Sequence, residues 1–170
     1  MTNLIRKIPK KEKFPKMIKY RQGDLFEHIP KNGENIIVVP HVCNNQKLMK
    51  SGFALGVIKK YPIVELANKS TELGETEFVY VEPHVIIANM ISQYKTIREV
   101  KKPIRYKALI ECMTTISNRI KELKLFSKNA VEIWTCKFGS KRAGGNWDFI
   151  VELIDELWSD MPVTVFEYKE

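Results

Sequence analysis

Hydrophobic residues along the chain form short β-branched runs separated by amphipathic segments. Residues 35–42 and 85–91 are apolar almost throughout, which is typical of strands covered on both faces of a sheet. Residues 77–81 and 85–91 are joined by the turn residues Glu82, Pro83 and His84, so we expect them to form a hairpin. The predicted strands are 17–21, at an edge, and 35–42, 77–81, 85–91, 131–136 and 162–166.

Three segments carry helical periodicity. Apolar residues recur every three or four positions through 103–123, which predicts a long helix with Pro103 as its first residue. A second helix is expected to begin near Phe53 and to end at Pro62, and a third to run from Trp147 behind the capping residue Asn146. Strands alternating with helices predict an α/β fold with a mixed, mostly parallel sheet. Such folds place their ligands at the loops that leave the carboxyl ends of strands.

The charge is concentrated at the amino terminus. The chain has 170 residues, enough for one domain, and a formal net charge of +8. Residues 1–21 hold eight basic residues and one acid, whereas the remainder has 20 basic and 19 acidic residues. We expect a basic arm at 1–16, acting as a solubilising tail with at most weak polyanion contact, before a domain at 17–170. The alternative is a nucleic-acid-associated protein that uses the arm.

Several protein classes are excluded by what the sequence lacks. No apolar run approaches the ~20 residues that cross a bilayer, and the first residues do not form a secretory leader, so we expect a cytoplasmic protein. Cys43, Cys112 and Cys136 are odd in number and widely spaced, so we expect reduced thiols. Neither a metal nor a cofactor is predicted, and we expect a monomer.

Three loops could carry chemistry. The segment from Gly139 to Trp147 links a predicted strand to a helix, and its glycines allow backbone amides to turn toward an anion, although such a segment can also be plain connection. The loop from His41 to Ala54 supplies polar groups for a ribose or a phosphate; His41 alone could equally satisfy a backbone group. Asp24 could accept from an adenine amino group or cap the following turn.

These loops, in this order, resemble the macrodomain family, specifically the branch with ADP-ribose 1''-phosphate phosphatases and terminal ADP-ribose protein hydrolases. The resemblance spans about residues 17–168 and implies a three-layer α-β-α macrodomain. The matching segments are Gly-Asp-Leu-Phe at 23–26, His-Val-Cys-Asn at 41–44, Ser-Gly-Phe-Ala at 51–54, Lys-Lys-Tyr-Pro at 59–62, Leu-Gly-Glu at 73–75, Ala-Asn-Met-Ile-Ser-Gln at 88–93, Pro-Ile-Arg-Tyr at 103–106 and the stretch at 139–147.

The resemblance implies a role for each matched position. Asp24 would bind the adenine amino group and the Leu25 backbone the ring edge, with Phe166 or Tyr168 packed on adenine. Asn44 would contact the distal ribose, and Gln93 would also face the ligand. The loop around the distal ribose would comprise Lys50, Ser51, Gly52, Phe53 and Ala54, and the diphosphate loop would comprise Gly139, Ser140, Lys141, Arg142, Ala143 and Gly144.

Departures from the family pattern narrow the expected function. In the branch with a lysine nucleophile, that lysine aligns with Gln93 and its partner acid with Ala143, so this chemistry is disfavoured. Lys95 lies two residues on and points elsewhere if strand geometry persists. Lys50, Ser51 and Lys141 stand where the family usually has glycine. We therefore expect hydrolysis of ADP-ribose 1''-phosphate or a related derivative, with His41 and Asn44 positioning the water. The alternative is a non-catalytic module that binds ADP-ribose or a nucleotide signal.

Overall fold

A six-stranded sheet forms the centre of the computed structural model, which describes residues 18–168. The predicted arm at 1–16 lies outside the described residues. Every neighbouring pair of strands is parallel except β3 and β4, which are antiparallel, as predicted for the hairpin. The strand order is β1-β6-β5-β2-β4-β3. The strands are β1 (Ile18–Gln22), β2 (Ile36–Asn44), β3 (Thr76–Glu82), β4 (Val85–Gln93), β5 (Val131–Thr135) and β6 (Val163–Glu167).

Helices cover both faces of the sheet. Two long helices pack on one face, and three shorter ones on the other. The three-layer α-β-α architecture is thereby confirmed. No helix within residues 18–168 is long and apolar enough to cross a bilayer. The helices are α1 (Leu25–His28), α2 (Gly52–Lys60), α3 (Ile63–Ala67), α4 (Tyr106–Phe126) and α5 (Trp147–Leu157), with a 3₁₀ turn at Lys141–Ala143.

The sheet separates two apolar cores. Successive side chains of a strand point to opposite faces, so β2 sends Val38 toward α4 and α5, and Ile37 and Val39 toward the shorter helices. Burying an aliphatic side chain of this size contributes roughly 1.5–3 kcal/mol. Since both cores share the sheet, the carboxyl ends of its strands are held in fixed relative positions.

The predicted first residue of the long helix is wrong. Pro103 lies in an extended segment beside the end of β4, where its carbonyl accepts a hydrogen bond from the Tyr94 amide at 2.8 Å. Ile104 forms a bridge to Gln93, and α4 begins only at Tyr106. A single sequence does not show that this stretch pairs with a strand. The preference of proline for the first turn of a helix is therefore overridden here by a tertiary contact.

Two helices were not predicted. The four-residue α1 directly follows Asp24, which caps it, and the five-residue α3 follows Pro62. One turn of helix is too short for a 3.6-residue period to stand out. Both contribute to the second core, through Leu25 and Val64, and α1 positions the turn after β1.

Candidate functional site

Five parallel strands end at the same edge of the sheet, which we call the carboxyl edge. It carries the turn at residues 23–24 after β1 and the end of β6. It also carries the connections 45–51, 94–105 and 136–146, which follow the neighbouring strands β2, β4 and β5. All three loops selected from the sequence therefore lie together, although they are far apart in the chain.

Asn44, the last residue of β2, organises the loop that follows it. Its side-chain oxygen accepts from the amides of Gln46 at 3.0 Å and Leu48 at 3.1 Å, and Nδ2 donates to the Leu48 carbonyl at 2.8 Å. Asn44 is 8% exposed, and Met49 anchors the far side of the loop in the core. One hydrogen of Nδ2 is left over after these contacts, since an amide nitrogen has two.

The amino terminus of α2 points its first amides toward the carboxyl edge. Ser51 occupies the N-cap position with an extended backbone but makes no side-chain hydrogen bond there, and Gly52 has a φ of +59°. A Cβ at Gly52 would meet no atom within 4 Å. Phe53 and Ala54 are half-buried, whereas Lys50 and Ser51 are exposed. The first amides of a helix lack partners within the helix and favour an anion.

Asn45 joins the loop after β2 to the loop after β4. Its amide donates to the Gln93 carbonyl at 3.0 Å, and its side-chain oxygen accepts from the Lys95 amide at 2.8 Å. The strand ends at Gln93, and Lys95 has a φ of +59°, so strand geometry does not persist as the sequence interpretation assumed. The Lys95 ammonium lies 5.3 Å from the centre of the Tyr94 ring.

The connection from β5 to α5 is a tight glycine-dependent turn. Gly139 is buried with a φ of +72°, and its carbonyl accepts from the Gly145 amide at 2.8 Å. A Cβ at Gly145 would overlap that carbonyl oxygen, so the position admits no larger residue without movement. The Gly144 amide closes the turn on the Ser140 carbonyl at 2.9 Å. The turn therefore holds the backbone in one shape.

Side chains on this connection divide into anchors and exposed cations. Ala143 is buried, and its carbonyl accepts from the Ile104 amide at 3.0 Å, while Ser140 Oγ donates to the Lys137 carbonyl at 2.6 Å. Lys141 and Arg142 are exposed on the 3₁₀ turn. The amides at the start of this turn, like those of α2, have no partner within it. The exposed cations thus lie on the same short turn as these amides.

Asp24 caps α1, which is the capping role that the sequence offered as one of two interpretations. Its Oδ1 accepts from the Phe26 amide at 2.9 Å. The second carboxylate oxygen has no hydrogen bond of its own among the described contacts, so capping and ligand binding are compatible at this residue. The adjacent Leu25 is 2% exposed and holds the turn against the second core.

The two candidate aromatic residues at the end of β6 have different surroundings. Phe166 is 4% exposed and is enclosed by Trp134 at 5.2 Å, His28 at 5.3 Å and the Arg21 guanidinium at 5.5 Å from its ring centre. Tyr168, the last described residue, is 64% exposed. Only the tyrosine therefore offers an open ring face at the carboxyl edge.

His41 lies beneath the loop at residues 50–54 rather than on its surface. It is 1% exposed, and its Nε2 donates to Asn89 Oδ1 at 2.6 Å. Burial lowers the pKa of His41 from 6.5 to about 4, an effect that the Asn89 hydrogen bond partly opposes, so the ring is neutral near pH 7. The Phe53 ring lies 5.9 Å from the imidazole and contacts it from the loop side.

A row of polar side chains crosses the sheet below this loop, and the sequence analysis missed two of its three members. Glu77 on β3, Asn89 on β4 and His41 on β2 are direct neighbours in the strand register. Glu77 Oε2 accepts from the amides of Lys69 at 2.8 Å and Ser70 at 2.9 Å. Asn89 Nδ2 and Glu77 Oε1 have no partner within residues 18–168. The available signal was a polar residue, Asn89, inside an otherwise apolar strand.

The three cysteines are free thiols. Burial raises the pKa of Cys43, of Cys112 to about 11 and of Cys136 to about 12. Thiols with such pKa values are protonated at neutral pH and are poor nucleophiles. The cysteines beside the candidate loops therefore pack rather than react.

The sequence is similar to proteins of phage and bacteria. It matches no known protein-family profile. It is 26% identical over 163 residues to an uncharacterized 17.5 kDa protein from the tk-vs intergenic region of Enterobacteria phage T4, a similarity that covers 90% of this chain and 97% of that protein.

Three solved structures share the fold. A protein of unknown function from Bacteroides thetaiotaomicron has a TM-score of 0.76 and 29% identity, over 88% of this chain and 96% of that one. A macrodomain protein from Streptomyces coelicolor has a TM-score of 0.70 and 29% identity, over 89% and 99%. Thermosipho africanus DarTG, solved in complex with ADP-ribose, has a TM-score of 0.65 and 14% identity, over 89% and 42%, a likeness of fold alone.

Proposed function

Because the chain belongs to the macrodomain family, we propose that it binds ADP-ribose at the carboxyl edge and hydrolyses the terminal substituent of the distal ribose, as an ADP-ribose 1''-phosphate phosphatase does. One observation carries the proposal: the connections after β2 and β5 both present helix-terminal amides and unpaired cations at the same edge. Amides and cations fixed in this way favour a bound diphosphate.

The ligand would lie across the strand ends. Adenine would contact the free carboxylate oxygen of Asp24 and the backbone of Leu25, with Tyr168 as the open aromatic face. The diphosphate would sit on the turn from Gly139 to Gly144. The distal ribose would lie between that turn and the loop from Lys50 to Ala54, near Gln93. A DarTG protein of this fold was solved with ADP-ribose, which agrees with a ligand of this class.

The proposed reaction is attack of water on the terminal phosphorus. The oxygen of the water bonds to phosphorus, the bond from phosphorus to the distal-ribose oxygen breaks, and that oxygen takes a proton, giving ADP-ribose and phosphate. Lys50, Lys141 and Arg142 would stabilise the charge on the transferred group. The remaining Nδ2 hydrogen of Asn44 could hold the water or the ribose hydroxyl.

His41 enters the proposal as a positioning residue. Its nitrogen is engaged by Asn89, and its ring supports Phe53, so we assign it to holding the distal-ribose loop in place. A neutral, buried imidazole in this place would affect the ligand only indirectly, through the position of Phe53. The sequence led us to expect that His41 itself positions the water. That role stays a prediction, beside the support of Phe53 that we assign to His41 here.

A non-catalytic ADP-ribose-binding module is the second candidate. The observation that favours it is that Gln93 and Ala143 stand at the aligned nucleophile and acid positions and that His41 is enclosed. Binding requires the amides, the cations and Asp24 but none of these reactive groups. The two candidates share a site and differ only in turnover.

Calorimetry and a phosphate-release assay on the same protein separate the candidates. We expect ADP-ribose to bind and ADP-ribose 1''-phosphate to release phosphate. The double variant Lys141→Gln, Arg142→Gln should lower kcat/KM by at least about 100-fold, because the loss of a single oxyanion-stabilising group already costs a factor of about 10²–10³. Lys128→Gln removes a charge next to the amino end of β5, at the opposite edge, and should leave turnover unchanged.

The outcomes are distinct. Binding without phosphate release refutes the hydrolase and leaves the binding module. A chain that binds neither compound refutes the whole proposal. An equal loss in the Lys128 variant would show that the effect of the double variant is not specific to the site.

A further inference from the structure

The connections at the carboxyl edge hold most of the uncompensated positive charge of the described chain. Residues 45–51, 94–105 and 136–146 contain ten basic residues and one acid, Glu99, a net charge of +9. The rest of residues 18–168 holds 11 basic and 17 acidic residues, a net charge of −6. We call this set the basic rim: Lys47, Lys50, Lys95, Arg98, Lys101, Lys102, Arg105, Lys137, Lys141 and Arg142.

The rim is one continuous surface. Its three loops leave β5, β2 and β4, which are consecutive strands in the sheet. Each strand lies about 4.8 Å from the next. Besides the bonds of Asn45, Gln46 Nε2 donates to Glu99 Oε1 at 3.3 Å and fixes the loop after β2 against the loop after β4. Lys47 and Arg98 are the sequence neighbours of this pair, so the hydrogen bond brings their backbones close to one another.

Few of these cations are neutralised by the protein. Within residues 18–168, Lys137 is the one rim cation in an ion pair, with Glu167 at 3.5 Å. Glu99 accepts from Gln46 and from the Thr96 amide instead of pairing with a cation. The Arg105 guanidinium donates to the carbonyls of Lys102 and Ile104, which leaves its charge uncompensated. Unpaired like charges held together raise the free energy of the protein unless an anion covers them.

The rim is larger than ADP-ribose requires. A diphosphate carries two charges, and the proposed ligand uses Lys50, Lys141 and Arg142. Lys47, Lys95, Arg98, Lys101 and Lys102 belong to other parts of the three loops. Lys47 and Lys95, with φ of +60° and +59°, are also the only non-glycine residues of the described chain in the left-handed region, where a lysine is strained.

Exposed apolar side chains accompany the charge. Leu48 is 47% exposed, Ile97 is 48% exposed and Tyr94 is 36% exposed, all within the loops after β2 and β4. A duplex offers phosphates but covers its bases, whereas an unpaired strand offers both phosphates and flat apolar base faces. We propose that the basic rim binds the phosphate backbone of a single-stranded nucleic acid, with the bases against these side chains.

This inference goes beyond ADP-ribose binding and does not depend on it. It also differs from nucleic-acid binding through the arm at 1–16, because the rim lies at the carboxyl edge and β1 begins with Ile18 at the opposite edge. The arm and the rim therefore make separable predictions.

The test is a titration of the full chain into a fluorescein-labelled 12-nucleotide DNA strand, followed by anisotropy at 25–200 mM NaCl. The variant Arg98→Gln, Lys101→Gln removes two exposed rim charges outside the proposed ADP-ribose contacts. The matched control Lys121→Gln, Lys124→Gln removes two exposed charges near the carboxyl end of α4.

We expect the rim variant to bind about tenfold more weakly at 50 mM NaCl and to reduce the salt slope by about 1.4, since each phosphate contact to a single strand contributes about 0.7. The control variant should match the unmodified protein. Saturating ADP-ribose should leave measurable strand binding that is still sensitive to the rim variant. A duplex of the same sequence should bind more weakly than the strand.

Four results would overturn the proposal. These are no strand binding at 25 mM NaCl, equal effects of the rim and control variants, complete displacement of the strand by ADP-ribose, and equal binding of the duplex. The second would assign the attraction to net charge or to the arm, and the third to the nucleotide site. Failure of ADP-ribose to bind in calorimetry would refute the proposed function without affecting the strand titration.

Discussion

At the residue scale, the polar row formed by Glu77, Asn89 and His41 combines burial with incomplete pairing. His41 and Asn89 share one hydrogen bond, but Asn89 Nδ2 and Glu77 Oε1 have no partner in the described chain. Leaving a buried polar group unpaired costs about 1–3 kcal/mol. Within this row, His41 contacts the Phe53 ring, whereas Glu77 binds the amides of Lys69 and Ser70, so the row supports two segments at the cost of stability.

The buried imidazole makes stability depend on pH. The pKa of His41 falls from 6.5 in the unfolded chain to about 4 in the folded chain, so between these pH values only the unfolded chain binds the proton. Stability should therefore fall as the pH is lowered from 6.5 to 4, by up to about 3 kcal/mol from this residue. Glu77 and Cys43 face the same layer, so the effect must be isolated by substitution.

His41→Gln keeps a donor for Asn89 and cannot titrate in this range. We expect urea unfolding at pH 4.5–7.5 to show a smaller pH dependence for the variant than for the unmodified protein. His28→Gln, which changes a histidine outside this row, serves as the control. Parallel curves for the His41 variant and the unmodified protein would contradict the assignment.

The sequence predicted residues whose place follows from a strand end, and it missed those defined by sheet order. Asn44 and Gln93 could be found because each follows a buried apolar run. Asn89 and Glu77 depend on contacts between β2, β4 and β3, and one sequence does not reveal which strands are neighbours. The enclosure of Phe166 was missed for the same reason, since Trp134 and Arg21 belong to other strands.

At the element scale, the connection from β5 to α5 depends on backbone shape more than on side chains. Gly139 has a positive φ, and a Cβ there would press against Ile104 and Ile150, while a Cβ at Gly145 would overlap the Gly139 carbonyl oxygen. Asn146 then caps α5 by accepting from the amides of Asp148 and Phe149, as predicted. The connection therefore positions a helix and the proposed diphosphate turn together.

Gly145→Ala should disrupt this connection. The added Cβ overlaps a carbonyl oxygen, so the turn must open, at a cost of about 1–3 kcal/mol and a fall in Tm of roughly 2–10 °C. ADP-ribose should bind at least about tenfold more weakly in calorimetry. Gly56→Ala is the matched control. Gly56 lies inside α2, and a Cβ there would make an ordinary 3.6 Å contact with Phe26 of α1. A Gly145 variant as stable and as tight-binding as this control would contradict the account.

Long periodic elements were predictable, and short or tertiary ones were not. The strands and α5 stood out because β-branched runs and a 3.6-residue period persist over several residues. The short α1 and α3 carry no such period, and the extended segment at Pro103 is defined by its pairing with Gln93. The unsuccessful element predictions are thus those whose structure depends on distant contacts.

At the scale of the whole molecule, the small net charge of the domain conceals an uneven distribution. The sequence count placed the excess charge in the arm and left the rest near neutral. The fold separates that remainder into a positive edge and a negative body, because loops distant in sequence converge at one edge of a parallel sheet. Phosphorylated ligands should therefore favour this edge.

A thermal-shift panel should rank the ligands. A compound that binds only the folded chain raises stability by about 2.7 kcal/mol at 100 times its Kd, or roughly 5–10 °C in Tm for a domain of this size. We expect ADP-ribose 1''-phosphate to give a larger shift than ADP-ribose at equal concentration, because its extra phosphate would face Lys50 and Lys141 in the proposed pose. Adenosine should give little shift. A larger shift with O-acetyl-ADP-ribose or a cyclic form would reassign the distal substituent.

The strand that leads to Asp24, β1, is the most weakly anchored strand of the sheet. It lies at an edge, pairs only with β6, and is the one described strand without a buried residue. Strands of this kind open by local unfolding well before the whole domain does. The proposed adenine contact then loses the support of β1 whenever this strand detaches and depends on Leu25 alone, so fraying at the sheet edge should speed adenine release while the turn at 139–144 stays folded.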